Sequence, residues 1–449
     1  MKIVIVGAGL VGTTLAEKLS RDGHDVSLVE SDASKARELL GALDIEVIEG
    51  NGSTASVLRR ARIDKADVVA ATTNSDEVNM IVALLASARF GVSRIVVRLH
   101  DAGHAEAFSL IRRNQPGDLV SVHPEQAAVD RIASLLAVHG AVDVLSFMEG
   151  QLVVAGFRIT ESSDFVGLRV SDMNLLFAAT PTLAVAIHRM DDWIIPDGDE
   201  EIRSGDLVYF AIASDHLPDV LSLVGVQQDQ RRDVMIAGAG PIGLELARRL
   251  DALDVKVVLI EEDEALAREA SEELDDAMVI HGLPTDRALL EEEEISRVAS
   301  FVAVTHDHET NLVAGLLAKR LGAGRAIVLV DNPALVDLVG QIGIDAIISP
   351  RVLAIGLTLE TIRGGRVRSV AQLLEDRIEI VEAEAAKRSQ LTSGTLSEVK
   401  LPRGVLVGAL RRGEKLLVPQ GSDRIEPGDR VLFITTSENA PKLADFLSE

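Results

Sequence analysis

Two doubly wound parallel α/β sheets, each followed by a small α+β lobe, are the predicted fold, and three observations predict it. A glycine-rich turn occurs twice, as Gly7-Ala8-Gly9-Leu10-Val11-Gly12 and as Gly238-Ala239-Gly240-Pro241-Ile242-Gly243. Each turn follows an apolar run, opens a helical pattern, and is followed at the same interval by an acid that ends a second apolar run, Glu30 after DVSLV and Glu261 after KVVLI. Near-continuous Val/Ile runs then alternate with helical patterns, as buried parallel strands and their crossover helices require. Strand, glycine turn, helix and strand-end acid together make each unit Rossmann-like.

The first sheet takes its strands from KIVIV, DVSLV, IEVIE, DVVAA and RIVVR, with helices such as LVGTTLAEKLSRD and EVNMIVALLASARF between them. From about Asp143 to Leu223 the runs shorten (VLSFMEG, LVVAGFRI, LAVAIHRM, LVYFAIAS), which fits a small α+β module. A polar stretch, Gln227 to Asp233, reads as a linker. The layered pattern restarts at Val234, and a second small module fills the chain from Ala371. The small modules repeat as well. Pro196-Asp197-Gly198, Gly205-Asp206, Val208 and Phe210 recur at one constant offset as Pro419-Gln420-Gly421, Gly428-Asp429, Val431 and Phe433. The expected domains are therefore 1–135, 140–225, 232–365 and 370–449, one pair of lobes duplicated.

Composition narrows the function. The chain has 449 residues, 47% hydrophobic and 26% charged, enough for large cores and against disorder. A net charge of −25 and 3% aromatics argue against nucleic-acid binding, which needs basic patches and stacking platforms. Cysteine is absent, so thiol catalysis, disulfides and cysteine metal sites are excluded. With a strand pattern beginning at Lys2 and no long uncharged apolar window, a cytoplasmic location without membrane insertion is expected.

A pyrophosphate needs close backbone approach. Gly7 supplies the tight turn, Gly9 the approach and Gly12 the helix–strand packing, while the helix N-terminus offers N–H groups and a positive dipole end. Glu30 and Glu261 stand where a carboxylate accepts hydrogen bonds from ribose hydroxyls and repels a 2′-phosphate; a solvated strand-end acid is the alternative. Thr73, Asn74, Asp76, Glu77 and Asn79 form a loop at the carboxyl edge of the sheet, matched by Thr305, Asp307, Glu309 and Asn311. Helix capping alone also accounts for its acids. Arg98 ends RIVVR and offers a guanidinium for phosphate; Val330 is read as its counterpart. His100 with His104, and His306 with His308, are ligand-like pairs without a clear third ligand, and no metal site is assigned.

These motifs resemble the TrkA family, the cytoplasmic regulatory subunits of Trk-type bacterial potassium uptake systems. The resemblance rests on GAGLVG at the start, VE closing strand two, EGNGS at 49–53, TTNSDEVN at 72–79, VVR at 96–98 and the Pro/Gly-Asp pattern at 194–210. It spans essentially the whole chain and implies tandem RCK (KTN) units that bind NAD(H) or ATP/ADP. It also implies a homo-oligomeric ring of four chains under a membrane potassium channel subunit of the TrkH/TrkG kind. The implied nucleotide contacts are Gly7, Ala8, Gly9, Leu10, Val11, Glu30, Asn51, Thr73, Asn74 and Arg98 in the first half. In the second they are Gly238, Ala239, Gly240, Pro241, Ile242, Glu261 and Thr305. No catalytic residue is assigned. The chain departs from the family at Leu283-Pro284, opposite Asn51-Gly52, and at His308, which weighs against nucleotide binding in the second half. The rival reading is an NAD-dependent dehydrogenase, for which His188 is the nearest acid/base candidate. A nucleotide-sensing regulator of another cation transporter is the third.

Overall fold

The computed structural model describes every residue except 42, 177–181, 191, 226–230, 333–334, 336–342, 364–366, 374–376, 403 and 448–449. Of the expected linker at 227–233, residues 227–230 thus lie outside the described residues. The first parallel sheet comprises β1 (Lys2–Val6), β2 (Asp25–Glu30), β3 (Glu46–Glu49), β4 (Val68–Ala71), β5 (Arg94–Arg98) and β6 (Asp118–Val122). Its order is β3-β2-β1-β4-β5-β6, with all pairs parallel. The order reverses between β1 and β4, so the crevice beyond their carboxyl ends is where this fold takes ligands. The sheet is buried on both faces, Val4, Val6, Val69 and Val97 toward one core and Ile3, Ile5, Leu28 and Val96 toward the other.

The second parallel sheet repeats that order with strands at 234–237, 257–261, 278–281, 300–303, 325–329 and 346–348. A five-stranded antiparallel sheet lies at 141–213 between them, and antiparallel strands at 378–436 follow the second. The duplicated Gly-Asp pair has a structural cause. Asp206, almost fully buried, receives two hydrogen bonds from the Arg189 guanidinium, both 2.8 Å. Asp429 is held likewise by Arg412, at 3.0 and 2.8 Å. A buried carboxylate needs such a bidentate partner.

The chain forms two compact units, Met1–Pro124 with Arg351–Ala371, and Glu125–Pro350 with Gln372–Glu449. The helices that leave the parallel sheets are therefore exchanged between the halves. In the helix Pro350–Arg363, Ala354, Ile355, Leu359 and Ile362 join the core of the first sheet, and Arg94 donates to the Ile362 carbonyl at 3.3 Å. In the second unit the helix Pro124–Ala137 is tied to the second sheet by Arg325. Its buried guanidinium donates to the carbonyls of Leu135 (2.7 Å) and Val138 (3.3 Å), and to that of Ala141. Replacing Arg325 by Met strands these carbonyls without adding a donor. The second unit is expected to lose about 3 kcal/mol, read by urea denaturation, while the first unit's transition stays put.

Candidate functional site

The first glycine turn is shaped by what it cannot carry. Gly7 has φ +103°, and a Cβ there would meet the Thr73 backbone at 2.9 Å. A Cβ on Gly12 would fall 1.9 Å from the Gly7 carbonyl oxygen, so only glycine lets the helix α1 (Leu10–Arg21) pack this close to β1. Gly9, by contrast, faces open space. It precedes α1 without a side-chain cap, leaving helix N–H groups for a ligand. Gly238 and Gly243 repeat the first two constraints at φ +105° and 1.9 Å.

A cavity of about 430 Å³ opens in front of this turn. Of the residues expected at a nucleotide, Gly7, Gly9, Glu30, Asn51, Thr73 and Asn74 line it. Ala8 and Val11 are buried in the core beneath, and Leu10 is exposed at the start of α1. Arg98 ends β5 outside the lining, its carbonyl accepting from the Asn79 amide at 2.9 Å.

The lining also includes Gly52, Ser75 and Val78, from the EGNGS and TTNSDEVN motifs, and Ser31 and Lys35, which sequence reasoning did not single out. Lys35 matters most, because it is the only cation among the described lining residues. It sits in α2 (Ala33–Leu39), whose N-terminus Asp32 caps, accepting from the Ser34 and Lys35 N–H groups at 2.7 and 3.0 Å. A lysine in a solvent-facing helical pattern gives no signal until the fold brings it beside the glycine turn.

Glu30 is nearly buried at the end of β2. Its Oε2 accepts the Ala8 N–H at 2.8 Å, and its Oε1 accepts the Asp32 N–H (2.8 Å) and the Ser31 hydroxyl (3.1 Å). Burial opposes its charge, but these donors outweigh burial and hold the carboxyl below the ordinary range. The acid thus ties the glycine loop to the strand end while facing the cavity. Glu261 repeats the tie to the Ala239 N–H at 2.6 Å.

Behind the cavity wall, the Thr/Asn spacing proves structural. Asn79, fully buried, accepts the Thr73 N–H at 3.0 Å and donates to the Thr73 and Arg98 carbonyls at 3.0 and 2.9 Å. Asn311 does the same with Thr305 and the Leu329 carbonyl, at 2.9, 3.0 and 3.0 Å. This staple corrects one alignment. The residue opposite Arg98 is Leu329, and Val330 corresponds to Leu99, since Leu99 and Val330 each donate to the last residue of the neighbouring edge strand, Val122 and Ile348. Ser75 caps the following helix α4 (Asp76–Leu84) through the Val78 N–H at 3.2 Å. Asp76 reaches away from its own helix. It accepts the His100 and Asp101 N–H groups at 3.0 and 2.9 Å and lies 2.7 and 3.3 Å from the ring Nδ1 atoms of His100 and His104. These histidines therefore face a carboxylate, and no cluster suited to a metal ion occurs among the described residues. His306 and His308 flank Asp307, which caps the helix His308–Arg320 through the Thr310 N–H at 2.6 Å.

The second turn keeps the loop and loses much of the lining chemistry. Gly238, Gly240 and Thr305 hold the equivalent places, with Ala239, Ile242 and Glu261 buried around them. Pro241 takes the first helical position and has no N–H to give. Leu266 stands for Lys35, and Leu283-Pro284 for Asn51-Gly52; both leucines are exposed.

Comparison with known proteins agrees with this architecture. The family model for the TrkA-N domain matches residues 3–114 and 234–350, and that for the TrkA-C domain matches 154–225 and 380–448. A Trk system potassium uptake protein TrkA of Halomonas elongata is 36% identical over 437 residues, 96% of this chain and 95% of that protein. The chain belongs to the TrkA family. The TrkA of Vibrio alginolyticus is 34% identical over 98% of this chain and 96% of its own length. Among solved structures, the GsuK RCK domain matches 99% of this TrkA-family chain and 94% of its own with a TM-score of 0.61. The GsuK channel bound to NAD also matches at 0.61, covering 78% of that chain; both share 18% identity with this chain, so the likeness is one of fold.

The depressed Glu30 carboxyl sets a pH window. Its contribution is present above the ordinary value of 4.5 and is lost as pH falls through the lower folded value. Against Glu30→Gln, the native chain is expected to be more stable by about 1–2 kcal/mol at pH 7. The gap should narrow as pH falls below 4.5, read by denaturant melts at pH 7 and pH 3.

Proposed function

We propose that this chain is a nucleotide-sensing regulatory subunit of a potassium uptake system, with the cavity at Gly7–Gly9 as its sensor. The observation that carries the reading is the convergence, in one cavity, of an open glycine turn at a helix N-terminus, the strand-end acid Glu30 and the cation Lys35. The helix N-terminus receives a pyrophosphate, Glu30 accepts from ribose hydroxyls, and Lys35 adds positive charge beside the adenosine half. NAD(H) fits this set, and ATP or ADP share the phosphates and ribose it reads. The relatives' name supplies the potassium system, and the solved channel of the same fold was captured with NAD.

The second glycine turn is the weaker nucleotide site, since Pro241, Leu266, Leu283 and Pro284 remove donors and charge. No described helix is long and apolar enough to cross a membrane, so control of flux passes through a separate channel subunit at the inner membrane face. The duplicated lobes suit a ring of several chains, with four the expected number. Nucleotide shifts that assembly only by its differential affinity for two conformations.

The test is potassium flux in liposomes carrying the channel subunit with this chain. Saturating NADH or ATP is expected to change flux severalfold, and Lys35→Ala is expected to raise the nucleotide concentration required by about tenfold. Flux indifferent to every adenine nucleotide would overturn the reading.

A further inference from the structure

Next to the nucleotide cavity lies a cluster that nucleotide contact does not explain. Asp76 is 5% exposed, yet its carboxylate receives no contact from its own helix. Its partners are the backbone N–H groups of His100 and Asp101, and the Nδ1 atoms of His100 (2.7 Å) and His104 (3.3 Å). It thereby joins the loop after β4 to the loop after β5. The chain immediately before Asp76 is Thr73-Asn74-Ser75, a wall of the cavity.

An ionised carboxylate only accepts hydrogen bonds, so each facing Nδ1 must carry a proton. A neutral ring meets that need in one tautomer. An imidazolium meets it with full charge and a stronger bond. Imidazoles change charge between pH 5 and 8. Burial opposes the charge on Asp76, but its donors hold it below the ordinary carboxyl range, so it stays ionised throughout that interval.

The other groups facing the cluster come from each neighbouring element. Glu77 on α4 and Asp101, which lies 3.7 Å from His104 Nδ1, add two carboxylates. His123, just beyond β6, is pushed down by burial, although the charge on Asp76 works the other way. Arg98 ends β5 two residues before His100, its carbonyl fixed by Asn79. Three carboxylates thus surround two partly exposed imidazoles.

The second half provides an internal contrast. His308 takes the place of Asp76 and Asp331 that of His100, exchanging acid and base. His308 Nδ1 has no hydrogen-bond partner among the described residues, while Asp331 accepts the Ser349 hydroxyl at 2.8 Å. The two-ring clamp on a buried acid belongs to the first half.

We propose that Asp76, His100 and His104 form a proton-linked positioning unit that tightens the Thr73–Ser75 wall, so that the first cavity binds nucleotide more strongly as pH falls from 8 to 6. The inference rests on nucleotide binding at that cavity. Linkage makes it reciprocal, with nucleotide binding drawing a proton onto the rings.

NAD is the probe, because its pyrophosphate does not titrate between pH 6 and 8. Isothermal titration of the full chain is expected to show about three- to tenfold tighter NAD binding at pH 6 than at pH 8. Paired buffers of different ionisation enthalpy should report net proton uptake. The double variant His100→Asn, His104→Asn keeps an N–H donor near each Nδ1 position but cannot titrate. It is expected to bind NAD with the same affinity at pH 6 and pH 8, with the proton uptake gone. A purely structural clamp would leave the slope intact in this variant, and that result overturns the proposal. Binding that is flat or weaker toward pH 6 in the native chain overturns it too, while leaving the nucleotide sensor standing. Absence of NAD binding at every pH overturns both.

Discussion

Everything at the proposed sensor depends on one close approach, that of Gly12 to the carbonyl of Gly7. With no room for a methyl group between them, α1 starts directly against the end of β1. That contact points the helix N-terminus at the crevice where strand order reverses. Glu30 then secures the loop by taking the Ala8 N–H, which couples the phosphate-facing turn to the strand end where ribose would sit. Turn, acid and cavity are consequences of one backbone constraint.

Duplication preserved that constraint and relaxed what surrounds it. Gly243 packs on Gly238 as closely as its counterpart, and Glu261 repeats the tie to the loop. Staples that hold the sheet edge, Asn79 and Asn311, are equivalent in every contact. Divergence falls instead on the cavity lining and its neighbour, where Lys35, Asn51 and the Asp76 clamp give way to Leu266, Leu283 and His308. Backbone geometry is retained for folding, while the chemistry of the site has specialised in one half.

Much of this was legible in the sequence. The glycine turns, the strand-end acids and the two kinds of sheet follow from spacing and apolar runs, because backbone approach and strand burial dictate residue type locally. Lys35 was not legible, since an exposed lysine on a short helix looks like any solvated residue. Asn79 was placed in the sheet-edge loop by its spacing alone, and its amide is spent on two backbone carbonyls and on the N–H and hydroxyl of Thr73. The counterpart of Arg98 was misplaced by one residue because the connection in the second half is one residue shorter, and only strand pairing fixes the register. The exchange of helices Pro124–Ala137 and Pro350–Arg363 has no local signature, as it depends on which distant core each apolar face meets.

The central claim is that one of two matching glycine turns is the sensor. Equilibrium titration of NAD, counting sites per chain in the native protein, Gly9→Asp and Gly240→Asp, tests it most directly. Gly9 and Gly240 both face open space, so an added carboxylate blocks phosphate without disturbing the packing. The account predicts one tight site per chain, lost in Gly9→Asp and retained in Gly240→Asp. Two equal sites, or a tight site that survives Gly9→Asp and vanishes in Gly240→Asp, would contradict it.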